Sequence, residues 1–218
     1  MRRRMLMSIK KSILPKEYQE VEYIKKDGYT QYILTDIIPN KNQDYIIEFV
    51  PTGIFNYLCG SDSAWDSGAF NVSYDTNNLR PGQSGLRILN YGEIYASGYR
   101  PNIGKTIKIE IFGETNMVII SEDNIVKVRA SIQVGTVTTR YPLAIFTTNR
   151  DGIPQVTDMF LQQYKLKKFI IKENSIDIAN YVPCYRKSDN KPGMYDIVSN
   201  KFFTNTGTGE FLVGQNIN

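Results

Sequence analysis

Thr106-Ile107-Lys108-Ile109-Glu110-Ile111 alternates strictly between polar and apolar side chains. A period of two puts successive side chains on opposite faces of an extended chain, so the isoleucines face a core and Lys108 and Glu110 face water. The segment predicts a strand with one wet face. Immediately downstream, the apolar runs 117–120 and 125–128 flank Ser121-Glu122-Asp123-Asn124, turn formers that close a hairpin. Glu173-Asn174 does the same between 166–172 and 175–178.

The same grammar extends over the chain. β-Branched and aromatic runs separated by Gly, Asn, Asp and Pro predict strands at 29–38, 44–50, 57–60, 69–74, 86–89, 93–96, 106–112, 117–121, 124–128, 143–147, 159–172 and 175–181. Residues 14–25 open with either a short helix, whose first turn Glu17, Glu20 and Glu22 suit, or a strand through Val21, Tyr23 and Ile24. Short strands at near-regular spacing without helices predict an all-β fold, a two-sheet antiparallel jelly-roll sandwich.

With 218 residues, 41% of them apolar, the chain is long enough for one sandwich core, and the expected division is an arm, 1–14, and a domain, 15–218. The formal charge of +4 sits largely in Arg2, Arg3, Arg4, Lys10, Lys11 and Lys16. Such an arm either touches nucleic acid or an acidic protein surface, or stays a solvated tail that orders on assembly. No run approaches the roughly 18 apolar residues of a membrane span, which predicts a soluble chain. The apolar stretch after Arg4 ends too soon for a signal peptide. Cys59 and Cys184 show no metal-ligand spacing and read as buried thiols.

The chain has no histidine, which removes the usual general base, nucleophile activator and transition-metal ligand. Phosphate-cradling glycine motifs are also missing. Paired carboxylates remain open to a glycosidase, yet the one Glu-x-Glu pair, Glu20/Glu22, lies in the N-terminal lead. Asp62, Asp66 and Asp75 sit among turn residues and are expected in Asx-turns. Asp62 and Asp66 flank Trp65 in a loop that reads either as a solvated connection or as oxygen ligands for calcium, without the EF-hand spacing. No other cofactor is expected. Among 15 tyrosines, 10 phenylalanines and one tryptophan, Trp65, Tyr91, Tyr95 and Tyr99 fall in or near turns. They are the candidate ligand-binding rings for stacking on a sugar, the alternative being that they fill half-exposed β surfaces.

Two terminal blocks carry a family resemblance. Leu14-Pro15-Lys16-Glu17-Tyr18-Gln19-Glu20-Val21-Glu22-Tyr23-Ile24 with Gly28-Tyr29-Thr30-Gln31-Tyr32-Ile33 resembles the opening of concanavalin A-like or laminin G-like domains in tailed-bacteriophage structural proteins. Tyr181-Val182-Pro183-Cys184-Tyr185-Arg186, Gly193-Met194-Tyr195-Asp196, Asn200-Lys201-Phe202-Phe203 and Asn205-Thr206-Gly207-Thr208-Gly209-Glu210-Phe211 resemble the closing block. Where that family commonly has Ile-Asp-Thr-Gly, this chain has Ile33-Leu34-Thr35-Asp36, so the turn is expected to differ.

The resemblance implies a jelly roll with neighbouring termini, no catalytic residues, and a place in a virion assembled in the host cytoplasm. Gly193 and Gly207 are expected at positive φ, and Tyr195, Phe202 and Phe211 in packing positions. Three functions follow as expectations. One is a homo-oligomeric virion structural protein, a decoration, head-fibre or tail component bound to other virion proteins through Arg2, Arg3, Arg4, Lys10 and Lys11. Another is a stand-alone adhesin for surface glycans, and the third a glycan-cleaving enzyme. Neither a specific nucleic acid nor a membrane is an expected partner.

Overall fold

Gln43–Phe55 (β4) buries every second side chain from Gln43 through Phe49, and that face carries Tyr45, Ile47 and Phe49. The computed structural model describes residues 13–62, 69–75, 85–156 and 162–217, and β4 is central to the larger of its two sheets. On one side it pairs with Ile107–Phe112 (β9), then Met117–Glu122 (β10) and the edge strand Ile125–Ser131 (β11). On the other it pairs over most of its length with Gln162–Glu173 (β15), followed by Ile176–Arg186 (β16), Lys191–Asp196 (β17) and Lys201–Thr204 (β18). The predicted alternation holds: Ile107, Ile109 and Ile111 are buried, while Lys108 and Glu110 form an ion pair at 2.6 Å on the outer face.

The smaller sheet runs Ile153–Pro154 (β14), Asn149–Arg150 (β13), Tyr57–Asp62 (β5), Phe70–Asp75 (β6), Gly85–Asn90 (β7) and Glu93–Ala96 (β8). Its pairs are antiparallel except β13 on β5. Leu58, Phe70, Val72, Leu86 and Ile88 face β4, β9 and β15 across one apolar core. The fold is therefore the expected all-β sandwich, and no helix occurs among the described residues.

The opening block settles as strands, not as a helix. Tyr18–Glu20 (β1) pairs with β16, and Ile24–Lys25 (β2) pairs with both β15 and Leu212–Val213 (β19) near the C-terminus. The two resembling blocks thus lie side by side, as expected. Leu14 packs with Val182, Cys184 and Tyr195 in a small second cluster. Both cysteines are buried free thiols, and burial pushes Cys184 up to about 12 and Cys59 up as well, which makes them poor nucleophiles.

Several expectations need correction. The strand expected over 29–38 shrinks to Ile33–Leu34 (β3), which pairs with Ala144–Ile145 (β12), itself shorter than 143–147. Side chains intercept the backbone around it: Gln31 Oε1 accepts from Gly28 N, Asn205 Oδ1 from Tyr32 N, and Thr35 Oγ1 from Ile37 N. Neither Gly193 nor Gly207 has positive φ. They serve close approach instead, since a Cβ on Gly193 would sit 2.2 Å from the Phe203 carbonyl oxygen and one on Gly207 1.9 Å from that of Thr30. The second hairpin turns at Asn174-Ser175, with φ of 50° and 64°, while Glu173 remains in the ladder opposite Ile176.

Candidate functional site

At the end of the sandwich where Gln43 pairs with Glu173, three segments enclose a cavity of about 580 Å³. Residues 38–42 form one wall, 135–139 the second, and Glu173 with Tyr91 the floor. This volume is in the range of small-molecule sites.

The first wall is held by one buried amide. Gln43 Oε1 accepts from Tyr45 Oη at 2.6 Å and from Asn40 N at 3.1 Å, while Gln43 Nε2 donates to Ile38 O. Asn40 then reaches both ways: its Oδ1 accepts from Asn42 N, and its Nδ2 donates to Glu173 Oε1 at 3.0 Å. The loop that offers Asn40, Lys41 and Asn42 is thereby fixed before any ligand arrives.

The second wall is stitched to the β7–β8 turn. Gly135 N donates to Asn90 O, Val137 N to Tyr91 O, and Asn90 Nδ2 to Gln133 O. A Cβ on Gly135 would lie 2.0 Å from Tyr91 O, so only glycine allows that approach. Thr136, Val137 and Thr138 then line the cavity opposite Ile38 and Pro39. The walls combine apolar patches with amide, hydroxyl, ammonium and carboxylate groups.

Tyr91 corrects the expectation of a free stacking ring. With φ of 56° beside Gly92 at 104°, it occupies the first position of a two-residue primed turn, where Asn, Asp or Gly is usual. Its ring folds inward to 5% exposure, 6.3 Å from Phe70, which stacks on Tyr45 at 4.1 Å. Burial offsets the backbone strain and raises the phenol pKa, against the opposing pull of the neighbouring Tyr45 hydroxyl. Tyr95 is half-buried against the core. Tyr99 is also tied down: its hydroxyl donates to Glu122 Oε2 at 2.6 Å, and with Asn102 Nδ2 it holds that carboxylate below its ordinary range. These tyrosines do not form one binding surface. Trp65, Asp66 and the arm residues Arg2, Arg3, Arg4, Lys10 and Lys11 lie outside the described residues, as does the side chain of Asp75.

A second polar cluster lies on the outward face of the smaller sheet. Asp62, expected in a solvated turn, is fully buried at the end of β5 and accepts from Thr148 Oγ1 at 2.7 Å and Asn71 Nδ2 at 3.1 Å. Gly60 makes room, because a Cβ there would lie 2.6 Å from Thr148 Oγ1 and 2.7 Å from Asn71 Cβ. Burial pushes the Asp62 carboxyl up to about 6, against the opposing pull of Thr148, Asn71 and Arg150. Both of its oxygens accept hydrogen bonds. No group of three or more His, Cys, Asp or Glu among the described residues is placed to hold a metal ion.

The rim residues Asn40, Gln43, Gly135, Thr136 and Thr138 were not expected from the sequence. Their only signal is turn-rich composition, because the three segments meet through pairings distant in sequence.

No family model matches the chain, and no curated protein matches it. Among solved structures, the native heptameric SAP-like pentraxin from Limulus polyphemus matches with 8% identity over 90% of this chain and 94% of that one, with a TM-score of 0.49.

Proposed function

We propose that this chain is a non-enzymatic binding protein that takes a saccharide in the rim cavity. The observation that carries this reading is the cavity itself, of ligand size and walled by groups already fixed by the Gln43 and Asn90 networks. Sugars present hydroxyls in fixed directions and apolar C–H faces. Asn40, Asn42, Thr136 and Thr138 offer donors and acceptors, while Ile38, Pro39 and Val137 offer apolar surface. The floor carries one carboxylate, Glu173, already bonded to Asn40, whereas glycoside hydrolysis ordinarily uses two. Binding without turnover is the chemistry this favours.

Thr136→Arg tests it. The exposed Thr136 side chain tolerates a long substituent, which fills the cavity. Isothermal titration of a panel containing glucose, galactose, rhamnose and N-acetylglucosamine oligosaccharides should give at least one saturable binder. Its affinity should fall roughly tenfold or more, about 1.4 kcal/mol, in the variant while Tm holds. Equal affinity in both proteins, or no binder, rejects the rim site.

The virion role rests on the resemblance of the two terminal blocks. In that reading the protein is a symmetric oligomer anchored to a tailed-phage shell or tail by residues 1–14, since such particles present repeated sites. Cosedimentation with purified shells lacking the protein should depend on residues 1–14. Loss of particle association in both forms leaves the stand-alone adhesin.

A further inference from the structure

At the opposite end of the β4–β15 pair, roughly 30 Å along the strands from Gln43, lies a second cavity of about 440 Å³. Lys26 sits in its wall at 8% exposure, and among the described residues the only hydrogen bond of its ammonium goes to Tyr29 O at 2.7 Å. An ammonium carries three donors. Among the described residues no carboxylate lies within 4.0 Å of it, so the charge is buried with one neutral partner. Such an arrangement is costly unless something else supplies the missing acceptors.

The cavity has the remaining parts of an anion site. Lys25, Thr52 and Gln163 share its lining with Lys26. Gln163 Oε1 accepts from Ile54 N, which leaves the amide Nε2 as the donor without a bond to a described residue. We infer that this cavity binds a compact oxyanion, a carboxylate or sulfate group, with Lys26 as its central cation and Lys25, Thr52 and Gln163 as supporting donors. The group is either a free inorganic anion or the acidic group of a uronic or sulfated saccharide, for the chemistry at Lys26 is the same.

Burial alone lowers the empty-site Lys26 ammonium to about 7. The other titratable side chains facing the cavity are Lys25, Asp27, Tyr29 and Tyr164. Asp27 is the one acid among them and opposes binding. An anion that prefers the charged amine must raise the pH at which Lys26 titrates, about one unit for a tenfold preference.

The test is NMR observation of the Lys26 Nζ group in the full chain across pH 5 to 10, with sodium sulfate, glucuronate or glucose added. The expected result is a saturable rise of about one unit or more with sulfate, glucuronate or both, and no change with glucose. A rise with both marks a general oxyanion site, with sulfate alone a site for a sulfate group, free or on a saccharide, and with glucuronate alone a site for a uronic saccharide. In parallel, the active anion should raise Tm of the native chain and not of Lys26→Met. No rise with either anion overturns the proposal. So does equal stabilisation of native chain and Lys26→Met, which marks a general salt effect. If Lys26→Met fails to fold, the titration on the native chain still decides.

Discussion

Between pH 4 and pH 7 the stability difference between the native chain and Asp62→Asn shifts by about 2 kcal/mol in favour of the variant. Asp62 titrates near 6 in the folded state because burial opposes its charge, against roughly 3.9 in an unfolded chain. An acid whose folded value is raised contributes its stability below the unfolded value, and that contribution is lost as pH rises through the folded one. About two units at 1.36 kcal/mol each give the full contribution, of which about 2 kcal/mol falls in this window because about half of the unfolded carboxyls are already ionised at pH 4. The carboxylates whose values are lowered by partners, Asp189 at about 2 beside Arg186 and Glu122 beside Tyr99, act in the opposite direction and cancel in the difference. Urea unfolding of both proteins at several pH values measures it. A difference independent of pH means that Asp62 is ionised normally in the fold.

Tyr164→Ala loses about 3 to 5 kcal/mol, against about 1 kcal/mol for Tyr164→Phe. Tyr164 belongs to the larger sheet, but its hydroxyl donates to Leu58 O at 3.1 Å in the smaller one. Its ring stacks on Phe146 at 5.0 Å and meets Phe49 and Phe55 edge-on. Truncation to alanine leaves a ring-sized void among three aromatic neighbours between the two sheets, whereas phenylalanine removes one hydrogen bond. Denaturant midpoints of the two variants check the ratio. A loss under 1 kcal/mol in Tyr164→Ala contradicts a close-packed intersheet core.

The fold was legible where a local rule decided it. Ile107, Ile109 and Ile111 alternate with charged neighbours because one sheet face is buried, and that face is where they lie. The 121–124 turn was likewise readable, since Asp123 and Asn124 tolerate the positive φ that they adopt. The misreadings involve long-range partners. Residues 29–38 have strand composition, yet Gln31 and Asn205 take backbone donors that a ladder would have used. Asp62 looked solvated because the surrounding serines, glycine and aspartate resemble a loop, while its partners come from afar, Asn71 from β6 and Thr148 from the segment just before β13.

The candidate site was less legible for the same reason. Tyr91 was singled out as an aromatic near a turn, and it does line the cavity, but as a buried floor. What turns it inward is the approach of Gly135 and Val137 to its carbonyl, a contact across more than forty residues that no spacing reveals. Asn40 and Glu173 meet at 3.0 Å only because β4 and β15 pair in the register that ends at Gln43 and Glu173.

The central claim is that the rim cavity is the saccharide site. Its most direct test is to titrate the isotopically labelled full chain with the best-binding sugar of the neutral panel and map the amide resonances that move. The account predicts saturable shifts confined to residues 38–42, 90–92, 135–139 and 173. Shifts centred instead on Asp62, Asn71 and Thr148, or no saturable shift with any sugar of the panel, contradict it.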